Sequence, residues 1–157
     1  MSGVSVIGIG SPFGNDTIGW QVIHELKQQH SLSALQLDRL ELIETDRPGI
    51  NLIQMIQDKR FVILIDALLN AQRHGDMISL DKTQVIESQE TLSSHSLDVA
   101  SAITLGDKLG ELPEKLLILG IAIDPARNEP IPATTIHALA ELVTRKLKEY
   151  VAEQTTP

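Results

Sequence analysis

The sequence predicts one α/β domain of three layers, with a mostly parallel, twisted sheet between helices, as in phosphorylase- and hydrolase-like folds. Short β-branched apolar runs alternate with segments of helical periodicity along the whole chain. The length of 157 residues and the 42% hydrophobic content suit a single buried core. We expect residues 1–152 to form this domain and residues 153–157 to be a frayed tail.

The first half of the chain predicts three strands separated by two helices. Val4–Gly10 is a short apolar run that ends in glycine, which is typical of a buried parallel strand. A half-covered strand is predicted over 37–45, a short helix over 49–57, and a strongly apolar strand over 61–65 that ends at Asp66. The first helix shows its apolar stripe at Ile18, Val22, Ile23 and Leu26.

The second half predicts two strands and two helices. An edge strand over 77–80 follows a polar turn at 73–76, and a helix over 97–109 leads to the last core strand at 116–122. Helical crossovers between parallel strands place helices on both faces of the sheet. The closing helix has an apolar face formed by Ile136, Ala140, Val143, Leu147 and Tyr150.

Composition and charge exclude several classes of function. The 13 basic and 21 acidic residues give a net charge of −8, which repels nucleic acids and anionic membranes. Two Phe, one Trp and one Tyr offer few stacking surfaces for bases. The absence of cysteine excludes thiol catalysis, cysteine-based zinc sites and disulfides. With no apolar run of about 18 residues and no basic N-terminal signal, we expect a cytoplasmic monomer that binds neither nucleic acid nor membrane.

Polar residues of metal-ligand type follow the predicted strands. Asp16 lies after the first strand, Glu44 and Asp46 close the second, Asp66 closes the third, and His95 precedes a helix. Ligands of parallel α/β sheets bind beyond the carboxyl ends of the strands, so these side chains are expected to converge. Carboxylates and an imidazole suit nickel or zinc better than copper(I). The residues alone therefore predict an acidic cleft that contacts a metal.

Each of these residues also has a structural interpretation. Asn15 or Asp16 could cap the first helix, since both residue types are favoured caps. Asp66 could be a turn residue, and His95 could be a surface histidine.

Two other functions fit the motifs less well. Glycines spaced G-x-G-x-x-x-G from Gly8 indicate a dinucleotide site with Glu44 on the ribose, but the spacing is not the standard fingerprint. Asp16 and Pro12 would also weaken the phosphate-binding helix terminus. A receiver domain with Asp66 as phospho-acceptor lacks a lysine after the last strand. Neither a G-x-S-x-G elbow nor an H-E-x-x-H motif is present.

The order of the motifs resembles the nickel–iron hydrogenase maturation endopeptidases across essentially the whole chain. Residues 8–19 resemble the family's glycine loop, acidic position and following glycine, and 63–67 match its strand ending in aspartate. Ser94-His95 matches its histidine in a Ser/Thr-rich helix entry, and 119–125 matches its last strand.

The resemblance implies an endopeptidase that removes the C-terminal extension of a hydrogenase large-subunit precursor after nickel insertion. Asp16, Asp66 and His95 would contact nickel that arrives on the substrate, with no tightly held cofactor. A water activated by that nickel or a nearby carboxylate acting as base could break the peptide bond. Asp46 is the candidate catalytic residue, and no covalent nucleophile is expected. The alternative is a non-catalytic metal- or nucleotide-binding module.

Three positions depart from the family pattern. Ser11 stands where the family has asparagine, and Asn15-Asp16 replaces its acidic pair. The loop after the second strand is 46–49, Asp-Arg-Pro-Gly, instead of Asp-Gly-Gly-Thr. Arg47 is therefore either a solvated loop residue or a contact for an acidic or carboxyl-terminal group of the substrate.

Overall fold

A five-stranded sheet forms the centre of the molecule, with the strand order β2-β1-β3-β5-β4. The computed structural model describes residues 3–35, 37, 39–68, 73–87, 94–124, 126–127 and 129–155, with the backbone alone for 94–98. Four strands are parallel, and β4 pairs antiparallel with β5 at one edge. The strands are β1 (Val4–Gly10), β2 (Leu40–Asp46), β3 (Phe61–Leu68), β4 (Met77–Asp81) and β5 (Lys115–Ala122).

Helices cover both faces of the sheet, which confirms the predicted three-layer α/β architecture. One apolar core lies between the sheet and helices α1 and α5, and a second lies beneath α2, α3 and α4. Within the described ranges, no helix has the length and apolarity that crossing a membrane requires. The helices are α1 (Ile18–Lys27), α2 (Leu52–Ile56), α3 (Lys82–Glu87), α4 (Ser94–Leu109) and α5 (Ala133–Thr155).

The third strand is longer than predicted, and this changes the position of Asp66. β1 pairs with β3 only as far as Ile65, but β5 continues the pairing to Leu68. Asp66 therefore lies inside the strand, and the prediction that the strand ends there is wrong. Beyond Ile65 one edge of β3 no longer pairs with β1, so Asp66 is paired with β5 alone.

Two helical features were not predicted. Helix α3 buries only Val85, so it lacks an apolar stripe. A reciprocal capping box starts it: Gln84 N donates to Asp81 Oδ1 at 2.8 Å, and Asp81 N donates to Gln84 Oε1 at 2.9 Å. Helix α5 continues to Thr155, so the predicted boundary at residue 152 lies within a helix. Residues 156–157 of the expected tail lie outside the described residues.

Glycines bring α1 into backbone contact with the centre of the sheet. A Cβ atom at Gly19 of α1 would lie 2.5 Å from the carbonyl oxygen of Ile9 and 2.7 Å from that of Ile65. A Cβ atom at Gly10 would lie 2.4 Å from the carbonyl oxygen of Asp16. Because no side chain fits at these contacts, the first turn of α1 is held directly against β1 and β3, and with it the loop that carries Asp16.

Gly19→Ala is expected to lower the free energy of unfolding by about 3 kcal/mol, because the new methyl group meets backbone atoms that cannot rotate away. Gly106→Ala in α4 is the matched control. Its methyl group would meet the flexible end of Leu112 at 2.8 Å. The gain in helix propensity should keep its effect within about 1 kcal/mol. Urea unfolding measures both, and equal losses would contradict the backbone-contact argument.

Candidate active site

Asp16 lies in a tight turn that folds back on the end of β1. The turn is a 3-10 helix, Gly14–Thr17, directly before α1. Ser11 Oγ donates to Asp16 Oδ2 at 3.0 Å, and Ser11 N donates to the carbonyl oxygen of Asp16 at 3.2 Å. The N-cap of α1 is Thr17, and it makes no side-chain capping bond. The capping interpretation of Asp16 is therefore wrong, and its carboxylate is oriented by Ser11 instead.

Asn15 has a structural task that an aspartate could not perform. Its Nδ2 donates to the carbonyl oxygen of Glu129 at 3.1 Å, and its Oδ1 accepts from Ile131 N at 3.2 Å. An ionised carboxylate has no hydrogen to donate to that carbonyl. The departure from an acidic pair is thus explained by a bond between the Asp16 turn and the segment before α5.

Asp66 is the most deeply buried carboxylate among the described residues. It is 1% exposed, and its Oδ1 accepts the N–H of Ala67 at 2.8 Å. Burial raises the pKa of Asp66 well above its ordinary value, the Ala67 N–H opposes this, and the charge of Asp16 adds to it. The two predicted carboxylates therefore lie near enough to repel each other. Aliphatic side chains surround Asp66 on its side of the sheet: Ile9, Leu64, Leu68, Leu80, Val85, Val99 and Ile118.

Asp46 lies at the same end of the sheet, but its carboxylate forms an ion pair with the adjacent Arg47. It pairs in register with Gly10, and its carboxylate accepts Arg47 Nε at 2.7 Å and Nη2 at 3.4 Å. The Arg47 guanidinium also lies 6.0 Å from the ring of Phe13. Asp46 raises the pKa of Arg47, and Asp16 makes a smaller contribution in the same direction.

Arg47 adopts a backbone conformation that favours glycine. Its φ is +41°, and its N–H donates to the carbonyl oxygen of Gly10 at 3.1 Å. A side chain in this region is strained by about 1 kcal/mol or more. The expected family loop has glycine at this position, so the arginine is held here at a cost by its contacts with Asp46 and Phe13.

His95 lies in the first turn of α4, one residue after the helix begins, and not before the helix as predicted. Its side chain falls outside the described part of the structure. Within the side chains described, no three or more His, Asp or Glu come together as a metal site. The set of Asp16, Asp66 and His95 remains a prediction. Glu44, by contrast, lines a groove beside α1.

Two contacts at this edge were not predicted from the sequence. Ser11 was noted only as a departure from the family pattern, but it orients Asp16. Arg47 was interpreted as a solvated loop residue or a substrate contact, whereas in the structure it pairs with Asp46. The bond between Ser11 and Asp16 joins two side chains five positions apart, and no local pattern in the sequence indicated it. Nothing in the sequence indicated that Arg47 adopts a positive φ.

The family of the chain follows from its match to known proteins. Residues 20–154 match the family model HycI, hydrogenase maturation protease. The chain belongs to this family. The predicted resemblance is confirmed, and the chain is a peptidase of the hydrogenase maturation type. The alternative of a non-catalytic module loses its support.

Relatives of the protease share its fold over nearly its full length. The hydrogenase 2 maturation protease of Escherichia coli K12 is 21% identical over 141 residues, covering 88% of this chain and 84% of the relative. The solved hydrogenase maturating endopeptidase HybD of E. coli has a TM-score of 0.73 and 22% identity, over 97% of this chain and 93% of that one. The NiFe hydrogenase maturation protease HybD of Thermococcus kodakarensis has a TM-score of 0.64 and 14% identity, over 92% and 98% of the two chains.

Asp66→Asn is expected to stabilise the protease increasingly as the pH rises. The folded protein raises the pKa of Asp66 above that of an unfolded aspartate, which is about 4. The wild-type protein therefore loses stability as the pH rises from about 4 through the pKa that Asp66 has in the folded state. Asparagine is uncharged throughout, so its advantage in melting temperature should be small at about pH 4 and grow towards neutral pH.

The control is Asp58→Asn, which changes an exposed aspartate before β3. Its melting temperature should differ from that of wild type by a nearly constant amount. A constant difference for Asp66→Asn as well would show that burial does not govern its ionisation.

Proposed function

We propose that this protease removes the C-terminal extension from the large-subunit precursor of a nickel–iron hydrogenase, and that nickel already held by the precursor licenses the cut. The proposal is supported by the burial of Asp66, which is 1% exposed near the carboxyl end of β3, and by the charge of Asp16, which raises the pKa of Asp66 further. Two carboxylates near each other in a poorly solvated site stabilise a divalent cation more than either does alone.

The donor set fits nickel presented by a substrate. Two carboxylates and an imidazole, from Asp16, Asp66 and His95, are ligand types that nickel accepts, and the chain has no cysteine to strip the metal from its carrier. Nickel contributes the positive charge that favours the ionised form of Asp66. Without it, burial favours the protonated form. A precursor that lacks nickel therefore meets a site that gains little by binding it.

Ser11 orients the first of these ligands. Its hydroxyl occupies Asp16 Oδ2 at 3.0 Å, which leaves Oδ1 as the oxygen for the metal. The close backbone contact between Gly10 and Asp16 fixes the position of the turn relative to the end of β1.

Asp46 is the proposed base for peptide hydrolysis. Its carboxylate forms an ion pair with Arg47 at 2.7 Å, so a water that is to be deprotonated has to take the place of the guanidinium. In this proposal a carboxylate or carbonyl group of the substrate binds Arg47 in place of Asp46, and the Asp46 carboxylate becomes free to accept a proton. Substrate binding then prepares the base.

The proposal predicts cleavage of nickel-loaded precursor and none of the nickel-free form, with intact mass reporting loss of a C-terminal peptide. Asp16→Asn, Asp66→Asn and His95→Ala should each slow the cut by about 100-fold or more, because the nickel is no longer positioned. Equal cleavage of both precursors would remove nickel from the proposal, and cleavage of neither by a folded protease would overturn it.

Two surface substitutions serve as controls. Asp58→Asn and His30→Ala change exposed residues before β3 and after α1, away from the carboxyl edge. Both variants should process nickel-loaded precursor at the wild-type rate. A similar loss in these controls would attribute the effect of the site variants to the fold.

A further inference from the structure

An open groove of about 480 Å³ lies along α1, on the flank of the candidate site. It begins at Thr17, next to Asp16, and includes Glu44, two residues before Asp46 on β2. The groove thus lies next to the edge of the sheet where the proposed function places the cleaved peptide bond.

The floor of the groove is apolar and is joined to the Asp16 turn. The half-buried ring of Trp20 lies there with Ile136 of α5. Trp20 Nε1 donates to the carbonyl oxygen of Thr45 at 3.0 Å, and a Cβ atom at Gly10 would lie 3.2 Å from the indole ring. Gly10 contacts both the indole ring and the backbone of Asp16, so a group that packs on Trp20 lies close to the backbone that positions Asp16.

The charge of the groove is negative. Glu44 is exposed, and among the described residues no lysine or arginine pairs with it. Glu25 also lines the groove but already accepts His137 Nδ1 at 3.0 Å. No lysine or arginine of the described chain lines the groove, and the net charge of −8 has the same sign. Electrostatic complementarity selects a cationic occupant.

The length of the groove suits an extended peptide. The residues that line it along α1 and its two caps recur every three or four positions from Thr17 to Gln28, which spans roughly 16 Å at the rise of a helix. An extended chain of about five residues covers that length. Alternate side chains would contact the apolar floor and the acidic wall.

We infer that this groove binds the segment of the precursor next to the cleavage position, and that it selects a segment carrying lysine or arginine beside aliphatic residues. Glu44 pairs with the cation, and Trp20 and Ile136 contact the aliphatic part. This identification of the occupant rests on the proposed function, whereas the preference for a cationic peptide rests on the groove itself.

Trp20 supplies a direct test, since it is the only tryptophan in the chain. Its emission is measured against two blocked pentapeptides, Leu-Lys-Leu-Lys-Leu and Leu-Glu-Leu-Glu-Leu. The lysine peptide should produce a saturable change and the glutamate peptide none. Glu44→Lys should weaken binding of the lysine peptide by about tenfold or more, because attraction becomes repulsion.

The matched control is Glu114→Lys, which changes an exposed residue directly before β5, at the amino ends of the parallel strands. It makes the same change in net charge and should bind the lysine peptide as wild type does. No saturable signal, equal binding of both peptides, or equal loss in both variants would overturn the inference.

Processing of nickel-loaded precursor separates this inference from the proposed function. Glu44→Lys should raise KM about tenfold with little change in kcat, since the groove binds the substrate away from the bond that breaks. An unchanged KM would overturn the groove as the substrate site. If wild type binds the lysine peptide but cleaves no precursor, the proposed function fails and the cationic preference of the groove stands.

Discussion

The contact between α1 and the centre of the sheet is made by backbone atoms, and the geometry of the candidate site depends on it. Gly19 of α1 lies against the carbonyl groups of Ile9 and Ile65, and Gly10 lies against the turn of Asp16. Side chains of any size would separate the helix from the strands. Because the turn is attached directly to the helix, such a separation would move Asp16 away from Asp66. Two of the glycines that suggested a nucleotide loop, Gly8 and Gly10, serve this packing, whereas Gly14 has open space where its Cβ would be.

Burial gives Asp66 its chemical character. A carboxylate among aliphatic side chains lacks the solvation that normally keeps it ionised, and the charge of Asp16 works in the same direction. Such a group destabilises the folded chain at neutral pH and is ready to gain a cation. Loss of stability at a functional site is a common consequence of arranging charges for ligands rather than for the fold.

The sequence predicted the fold in most respects, because parallel strands and the stripe of α1 have strong periodicity. The end of β3 was mistaken because Asp66 looks like a terminator in sequence, whereas pairing with β5 continues the strand to Leu68. Helix α3 was missed because one buried residue gives no period. The convergence of Asp16, Asp66 and His95 stays a prediction, which rests on the meeting of strand ends at one edge of the sheet. The ion pair of Asp46 and the strain at Arg47 arise from tertiary contacts that no local pattern encodes.

The hydrogen bonds of Asn15 have a consequence for how the chain matures during synthesis. They join the Asp16 turn to the carbonyl oxygen of Glu129 and the N–H of Ile131, partners up to 116 positions further along the chain. A nascent chain that has completed β1, β2 and β3 already contains both carboxylates and the bonds from Ser11 to Asp16. The two bonds of Asn15 can form only after the segment before α5 has been synthesised. The turn that carries Asp16 is therefore linked to both ends of the chain, although β1, β2 and β3 lie within its first half.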